Sequence, residues 1–168
     1  MPFTARAEWG VVLGLSGYLG SYYAGASFLS ENERHNVDIT LGVSPGIIDE
    51  EVYQIGARYV YSPFEYQFER FPLKTNILSF GILVTRCLCD DTFVQNLSIY
   101  PEHNYYDETA YRFGLVLEHN LKWESFTFFF NWVLLDQIAI ASYNNPHIRQ
   151  RPLDFWSAGL GIRFYPDF

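Results

Sequence analysis

Residues 35–43 read His-Asn-Val-Asp-Ile-Thr-Leu-Gly-Val, and every second one is apolar: Val37, Ile39, Leu41 and Val43 alternate with Asn36, Asp38, Thr40 and Gly42. A period of two marks a strand whose faces meet different surroundings, because successive side chains on a pleated backbone point to opposite sides. The same period recurs along the chain. Glu51–Tyr61 sets Tyr53, Ile55, Ala57, Tyr59 and Tyr61 against Gln54, Gly56 and Arg58. Asn76–Cys87 sets Leu78, Phe80, Ile82 and Val84 against Ser79, Gly81 and Thr85, with Leu83 interrupting the polar side. Thr109–Asn120 sets Tyr111, Phe113, Leu115 and Leu117 against Arg112, Gly114, Glu118 and Asn120. Ser125–Leu134 places Phe126, Phe128, Phe130, Trp132 and Leu134 opposite Ser125, Thr127 and Asn131, with Phe129 as the exception. Phe155–Phe164 sets Trp156, Ala158, Leu160, Ile162 and Phe164 against Ser157, Gly159, Gly161 and Arg163.

Near the N-terminus Trp9, Val11, Leu13 and Leu15 alternate with Gly10, Gly14 and Ser16, after which the phase flips to Tyr22, Ala24, Ala26 and Phe28. A flip of phase requires a turn or a bulge. A turn at Ser16-Gly17-Tyr18 gives strands at 8–16 and 20–29 and eight strands in all; seven, with one long bulged first strand, stays open. The 168 residues and 19.6 kDa suit a single domain, 1–168. The net charge of −8 argues against a nucleic-acid partner, which would call for a basic face. Aromatics make up 19% of the chain, more than an ordinary water-facing surface accommodates. The longest weakly polar stretch, Trp9–Phe28, is broken by Gly and Ser and gives no run of the roughly 18 apolar residues that a spanning helix needs.

Alternation alone fits a soluble barrel with an apolar lining or a membrane barrel with an apolar exterior, and the two differ in which face is which. Here the polar face carries Gly42, Gly56, Gly81, Gly114, Gly159 and Gly161, small groups that suit the cramped lumen of about eight strands. On a water-facing surface the same glycines weaken strands without gain. The other face carries the tall stripe Phe126, Phe128, Phe130 and Trp132, which matches lipid. The expected fold is therefore all-β, a single antiparallel up-and-down transmembrane β-barrel. Its tight turns would be Ser30–Arg34 and Leu121–Trp123, its long outer connections Leu88–Glu108 and Asp136–Asp154, and Pro63–Lys74 a longer inner connection. Trp9 and Trp123 then stand at the inner interface and Trp132 and Trp156 at the outer one, as an aromatic girdle.

By this topology Asp38, Arg58, Glu118 and Arg163 all point into the lower lumen. Two carboxylates and two guanidiniums satisfy one another there, whereas any one alone costs several kcal/mol. The expected role is to fill and brace the barrel, with a proton or ion pathway as the alternative. Cys87-Leu88-Cys89 lies near the outer geometric limit for a disulfide and has no second ligand pair at zinc-like spacing, so no metal and no cofactor is expected. No basic start leads into a continuous apolar run, and Ala24-Gly25-Ala26, which fits a signal cleavage pattern, reads better as strand; any signal peptide is expected to have been removed already.

The chain ends Gly159-Leu160-Gly161-Ile162-Arg163-Phe164-Tyr165-Pro166-Asp167-Phe168, and a terminal aromatic after an alternating strand resembles the C-terminal signal of bacterial outer-membrane barrels. With the Tyr-rich segment Tyr100-Pro101 to Tyr105-Tyr106, the layout is similar to small outer-membrane proteins. The resemblance implies an outer-membrane location, with the lipid bilayer and lipopolysaccharide as partners and a surface ligand or protein at the outer loops. In size it is also similar to the lipid A deacylase family, whose His-x-Ser-Asn element on a late strand supplies a serine nucleophile and a histidine base. The corresponding stretch here, Trp132 to Asn145, has no histidine beside a serine. The hydrolase alternative would instead assemble Asp136, Ser142 and His147 from the last outer loop. His103 falls in the other outer loop, and His35 and His119 at inner strand ends. A soluble lipocalin-like barrel is the second alternative.

Overall fold

Alternating strands that each have one polar and one apolar face satisfy their backbone groups without a free edge only by closing on themselves. The computed structural model describes residues 8–16, 19–45, 51–88, 111–136 and 156–166. Its strands are β1 (Glu8–Ser16), β2 (Gly20–Leu29), β3 (His35–Pro45), β4 (Glu51–Tyr61), β5 (Glu65–Gln67), β6 (Leu73–Cys87), β7 (Tyr111–Trp123), β8 (Phe126–Leu135) and β9 (Trp156–Phe164). Neighbours pair antiparallel in the order β4-β3-β2-β1-β9-β8-β7-β6-β5, and β4 also pairs with β6. The ring β1-β2-β3-β4-β6-β7-β8-β9 is thus a closed eight-stranded up-and-down barrel. No helix occurs among the described residues.

The phase flip near the N-terminus is a chain reversal: β1 ends at Ser16, its register with β2 shifts between Gly14 and Ser16, and β2 starts at Gly20. Eight barrel strands, rather than seven, follow. The turn expected at Leu121–Trp123 lies further on. β7 keeps pairing through Trp123↔Phe126, and the reversal is made by Glu124-Ser125 with Glu124 at φ 52. The strand persists through Trp123 because Leu121, Lys122 and Trp123 pair with both β6 and β8, and Lys122 reaches from it to Glu33. The connection expected over Pro63–Lys74 contains β5, which pairs with Lys74–Asn76 of β6 and continues the line of β4 after a break at 62–64. The turns at 30–34, 68–72 and 124–125 and both ends of the described barrel lie at one rim, the turn end. The connections across 89–110 and 137–155, at the opposite loop end, lie outside the described residues.

The two faces separate by polarity. Ser27, Asn36, Asp38, Thr40, Arg58, Asn76, Ser79, Thr85, Glu118, Asn120, Asn131 and Arg163 are buried in the lumen. Thirty large apolar side chains among the described residues stand on the outside, Trp9, Leu41, Leu115 and Phe113 among them. The lumen is itself layered. Val12, Leu19, Tyr23, Leu83, Val116, Phe129, Val133 and Leu135 form one inward apolar cluster. Leu83 and Phe129, the two breaks in alternation, are therefore inward residues of this cluster. Backbones approach closely at several glycines; on β2, a Cβ on Gly25 would overlap the Ile39 carbonyl oxygen of β3.

Candidate functional site

The inward alternation of β3, β4, β7 and β9 delivers Asp38, Arg58, Glu118 and Arg163 to one place in the lumen. Each is 2% exposed or less. Arg58 donates from Nε and Nη2 to Asp38 Oδ2 at 2.9 and 2.6 Å. Arg163 donates to both sides: its Nη2 reaches Asp38 Oδ2 at 2.9 Å, while Nη1 and Nη2 clasp Glu118 Oε1 and Oε2 at 2.8 and 3.0 Å. The fourth pair, Arg58 Nη1 to Glu118 Oε2, is looser at 3.7 Å. A two-plus, two-minus square with a bidentate guanidinium–carboxylate side is the arrangement that offsets the desolvation of four charges.

Neighbours complete the square. Ser27 Oγ donates to Asp38 Oδ1 at 2.7 Å and lies 2.8 Å from the Tyr165 hydroxyl. Asn36 Nδ2 donates to Tyr165 Oη at 2.6 Å. Phe129 packs against both guanidiniums, its ring centroid 4.5 Å from Arg58 Cζ and 4.2 Å from Arg163 Cζ. Its π-system offers partial negative charge to both guanidiniums. Phe129 is thus the junction between the charged layer and the apolar cluster. The sequence reading missed that role because an inward phenylalanine looks like a lapse in alternation.

A second charge ring closes the turn end. Lys74 Nζ lies 3.2 Å from Glu33 and 3.5 Å from Glu65, and Lys122 Nζ lies 3.0 Å from Glu33 and 3.7 Å from Glu65. It ties the β2–β3 turn, where Glu33 sits at φ 57, to β5, β6 and β7. Burial works to raise the Glu33 carboxyl, but the Lys122 and Lys74 ammoniums outweigh it and hold its pKa below the ordinary value. No sequence signal pointed to this ring, because its members come from a turn, a three-residue strand and two strand ends.

The remaining candidates fall elsewhere. Trp9 is exposed and packs on Phe28 at 5.1 Å, and Trp123 is exposed at the end of β7. Trp132 is exposed and meets Phe130 edge-on at 4.6 Å. Trp156 opens β9, and its side chain lies outside what is described. Asp136 follows β8, donates its N–H to the Phe113 carbonyl at 2.8 Å, and its buried Oδ1 accepts no hydrogen bond. Ser142, His147 and His103 lie outside the described residues. His119 is on the outward face, its Nδ1 3.2 Å from the Ile77 carbonyl oxygen. Cys87 is disulfide-bonded, and no group of three or more metal-ligating side chains occurs among the described residues. No protein-family model matches the chain, and neither the curated proteins nor the solved structures contain one that matches it.

Proposed function

We propose that the chain spans the outer membrane of a Gram-negative bacterium as a closed, non-conducting barrel that serves as a structural anchor and presents its loop end as a binding surface. The observation that carries this reading is the inverted polarity of the barrel. Charged and amide side chains fill the inside, while Val37, Ile39, Leu41, Phe113, Leu115, Phe128 and Leu160 face outward. The largest apolar patch on an ordinary water-soluble monomer is a few hundred Å². An apolar exterior around the whole wall belongs against hydrocarbon, with Trp9, Trp123 and Trp132 as interfacial anchors and lipid and lipopolysaccharide as surroundings. A lipocalin-like carrier would need the opposite polarity, with an apolar hollow inside and polar side chains in water.

Lack of conduction follows from the two layers of the lumen. The charge square occupies one, and the apolar cluster from Val12 to Leu135 fills the other. An ion that passed the square would have to shed its water among leucine and valine side chains, the situation in which a hydrophobic constriction excludes ions. The test is membrane fractionation of expressing cells with a detergent gel run on boiled and unboiled samples, followed by planar-bilayer recording. A membrane-bound band that shifts on boiling, with no unitary conductance, is the expected result. A soluble, non-shifting protein overturns the membrane reading, and stable ion-selective conductance overturns the closed lumen.

A further inference from the structure

On the outward face near the turn end, β3, β4 and β6 frame a groove of about 470 Å³ lined by His35, Tyr59, Tyr61, Phe80, Gly81 and Ile82. Phe80 and Ile82 are exposed apolar walls. Against them stands a polar pair: His35 Nδ1 lies 2.7 Å from the Tyr59 hydroxyl, and the imidazole packs on Tyr61 with ring centroids 5.0 Å apart. The pair has a property independent of its proton. If Tyr59 donates to Nδ1, the imidazole keeps an N–H at Nε2; if Nδ1–H donates to Tyr59, the phenol keeps its own O–H. Either way one donor stays unused beside apolar walls, where hydrocarbon cannot accept it and an unmet donor is costly.

The occupant that resolves this has an acceptor oxygen joined to an apolar chain. Arg34, the residue before His35, is exposed and forms no ion pair among the described residues, so the oxygen it suits is anionic. We propose that this groove is a phospholipid subsite. The phosphodiester accepts a hydrogen bond from the His35–Tyr59 pair and faces Arg34, and one acyl chain lies along Phe80 and Ile82. The inference rests on the membrane reading above and deepens it by naming the lipid class held at the turn-end rim.

The test uses the full chain refolded in detergent micelles, titrated with dipalmitoyl phosphatidylglycerol, dipalmitoyl phosphatidylethanolamine or phosphate-free dipalmitoylglycerol and read by native mass spectrometry. The variants are His35→Ala/Tyr59→Phe and, because the double change touches strand packing, Arg34→Gln in the exposed turn. Every sample is also run boiled and unboiled. Both phospholipids are expected to form discrete adducts about tenfold tighter than the diacylglycerol, the preference falling about tenfold in the double variant and severalfold in Arg34→Gln while the heat shift persists. Equal binding of diacylglycerol, or an unchanged preference in heat-shifting variants, overturns the phosphate subsite and leaves the membrane reading standing. A wild-type chain that shows no heat shift in any micelle overturns both.

Discussion

Replacing Arg163 by Met tests whether the charge square braces the barrel. The side chain holds Asp38 through Nε and Nη2 and Glu118 through a bidentate clasp at 2.8 and 3.0 Å. Its removal leaves Asp38 served by Arg58 and Ser27, but leaves Glu118 facing only Arg58 Nη1 at 3.7 Å. One unit of negative charge is then uncompensated in a lumen where the Glu118 residue is 1% exposed. Breaking a buried pair from one side costs about 3–5 kcal/mol, and the near-complete burial of Glu118 argues for the upper half. Adding Glu118→Gln restores neutrality around Asp38–Arg58, so the double variant should be more stable than Arg163→Met alone by about 1–2 kcal/mol. The assay is urea unfolding in lipid vesicles followed by tryptophan fluorescence, completed as a four-member cycle. The unboiled gel of the same samples should show a single shifted band for wild type and more than one for Arg163→Met. A loss below about 1 kcal/mol for Arg163→Met, or a coupling within about 0.5 kcal/mol of zero, would refute the reasoning.

Gly25→Ala should give no heat-shifted band on refolding, because the added methyl overlaps the Ile39 carbonyl of the neighbouring strand; a normal band shows that β2 and β3 part easily. Glu33 has its pKa depressed by Lys122 and Lys74. Its contribution is therefore complete above the ordinary carboxylate pKa and fades as pH falls through the depressed value. Wild type should exceed Glu33→Gln in unfolding free energy by less than about 1 kcal/mol at neutral pH, and the gap should close in acid; a gap independent of pH contradicts the ring. Leu115→Arg, on the outward face where Leu115 is 62% exposed, should cost about 2–4 kcal/mol in vesicles. A cost within about 0.5 kcal/mol, usual for an exposed site in water, would count against lipid at that position.

The strand pattern was legible because the wall has two chemically opposed faces, and six alternating runs plus one phase flip were enough to place the barrel strands. Legibility failed where that contrast fails. At Leu83 and Phe129 the lumen is apolar, so inward and outward residues look alike. At Glu65–Gln67 both faces are exposed and no alternation develops, leaving β5 without a signature. Between Asn76 and Ser79 a bulge in β6 exposes both Ile77 and Leu78 and shifts the parity of Thr75 and Asn76. Parity also assigned Asp38, Arg58, Glu118 and Arg163 to the lumen, yet it carries no information about which guanidinium meets which carboxylate. That depends on the relative height of strands that are not neighbours: Asp38 and Arg163 belong to β3 and β9, separated around the ring by β1 and β2.

The same separation suggests what the square is for. The outward rows are nearly uniform, with Val37, Ile39 and Leu41 of β3 opposite Tyr59, Ala57 and Ile55 of β4, and a slip of two residues would exchange one apolar neighbour for another at little cost. The backbone ladder is equally indifferent, since it re-forms at any even slip. In the lumen, by contrast, a two-residue slip of β3 against β4 takes Asp38 away from its partner Arg58, and a one-residue slip turns Asp38 to the apolar outer face. A buried ion square is weak evidence for net stability, because its desolvation consumes most of its attraction. Its steepness is a separate matter. Asp38 and Glu118 can both meet Arg163 only when β3, β7 and β9 stand at one mutual height, so the square penalises every register but one, which is why multiple refolded bands, and not the lost free energy alone, are the sharper readout for Arg163→Met.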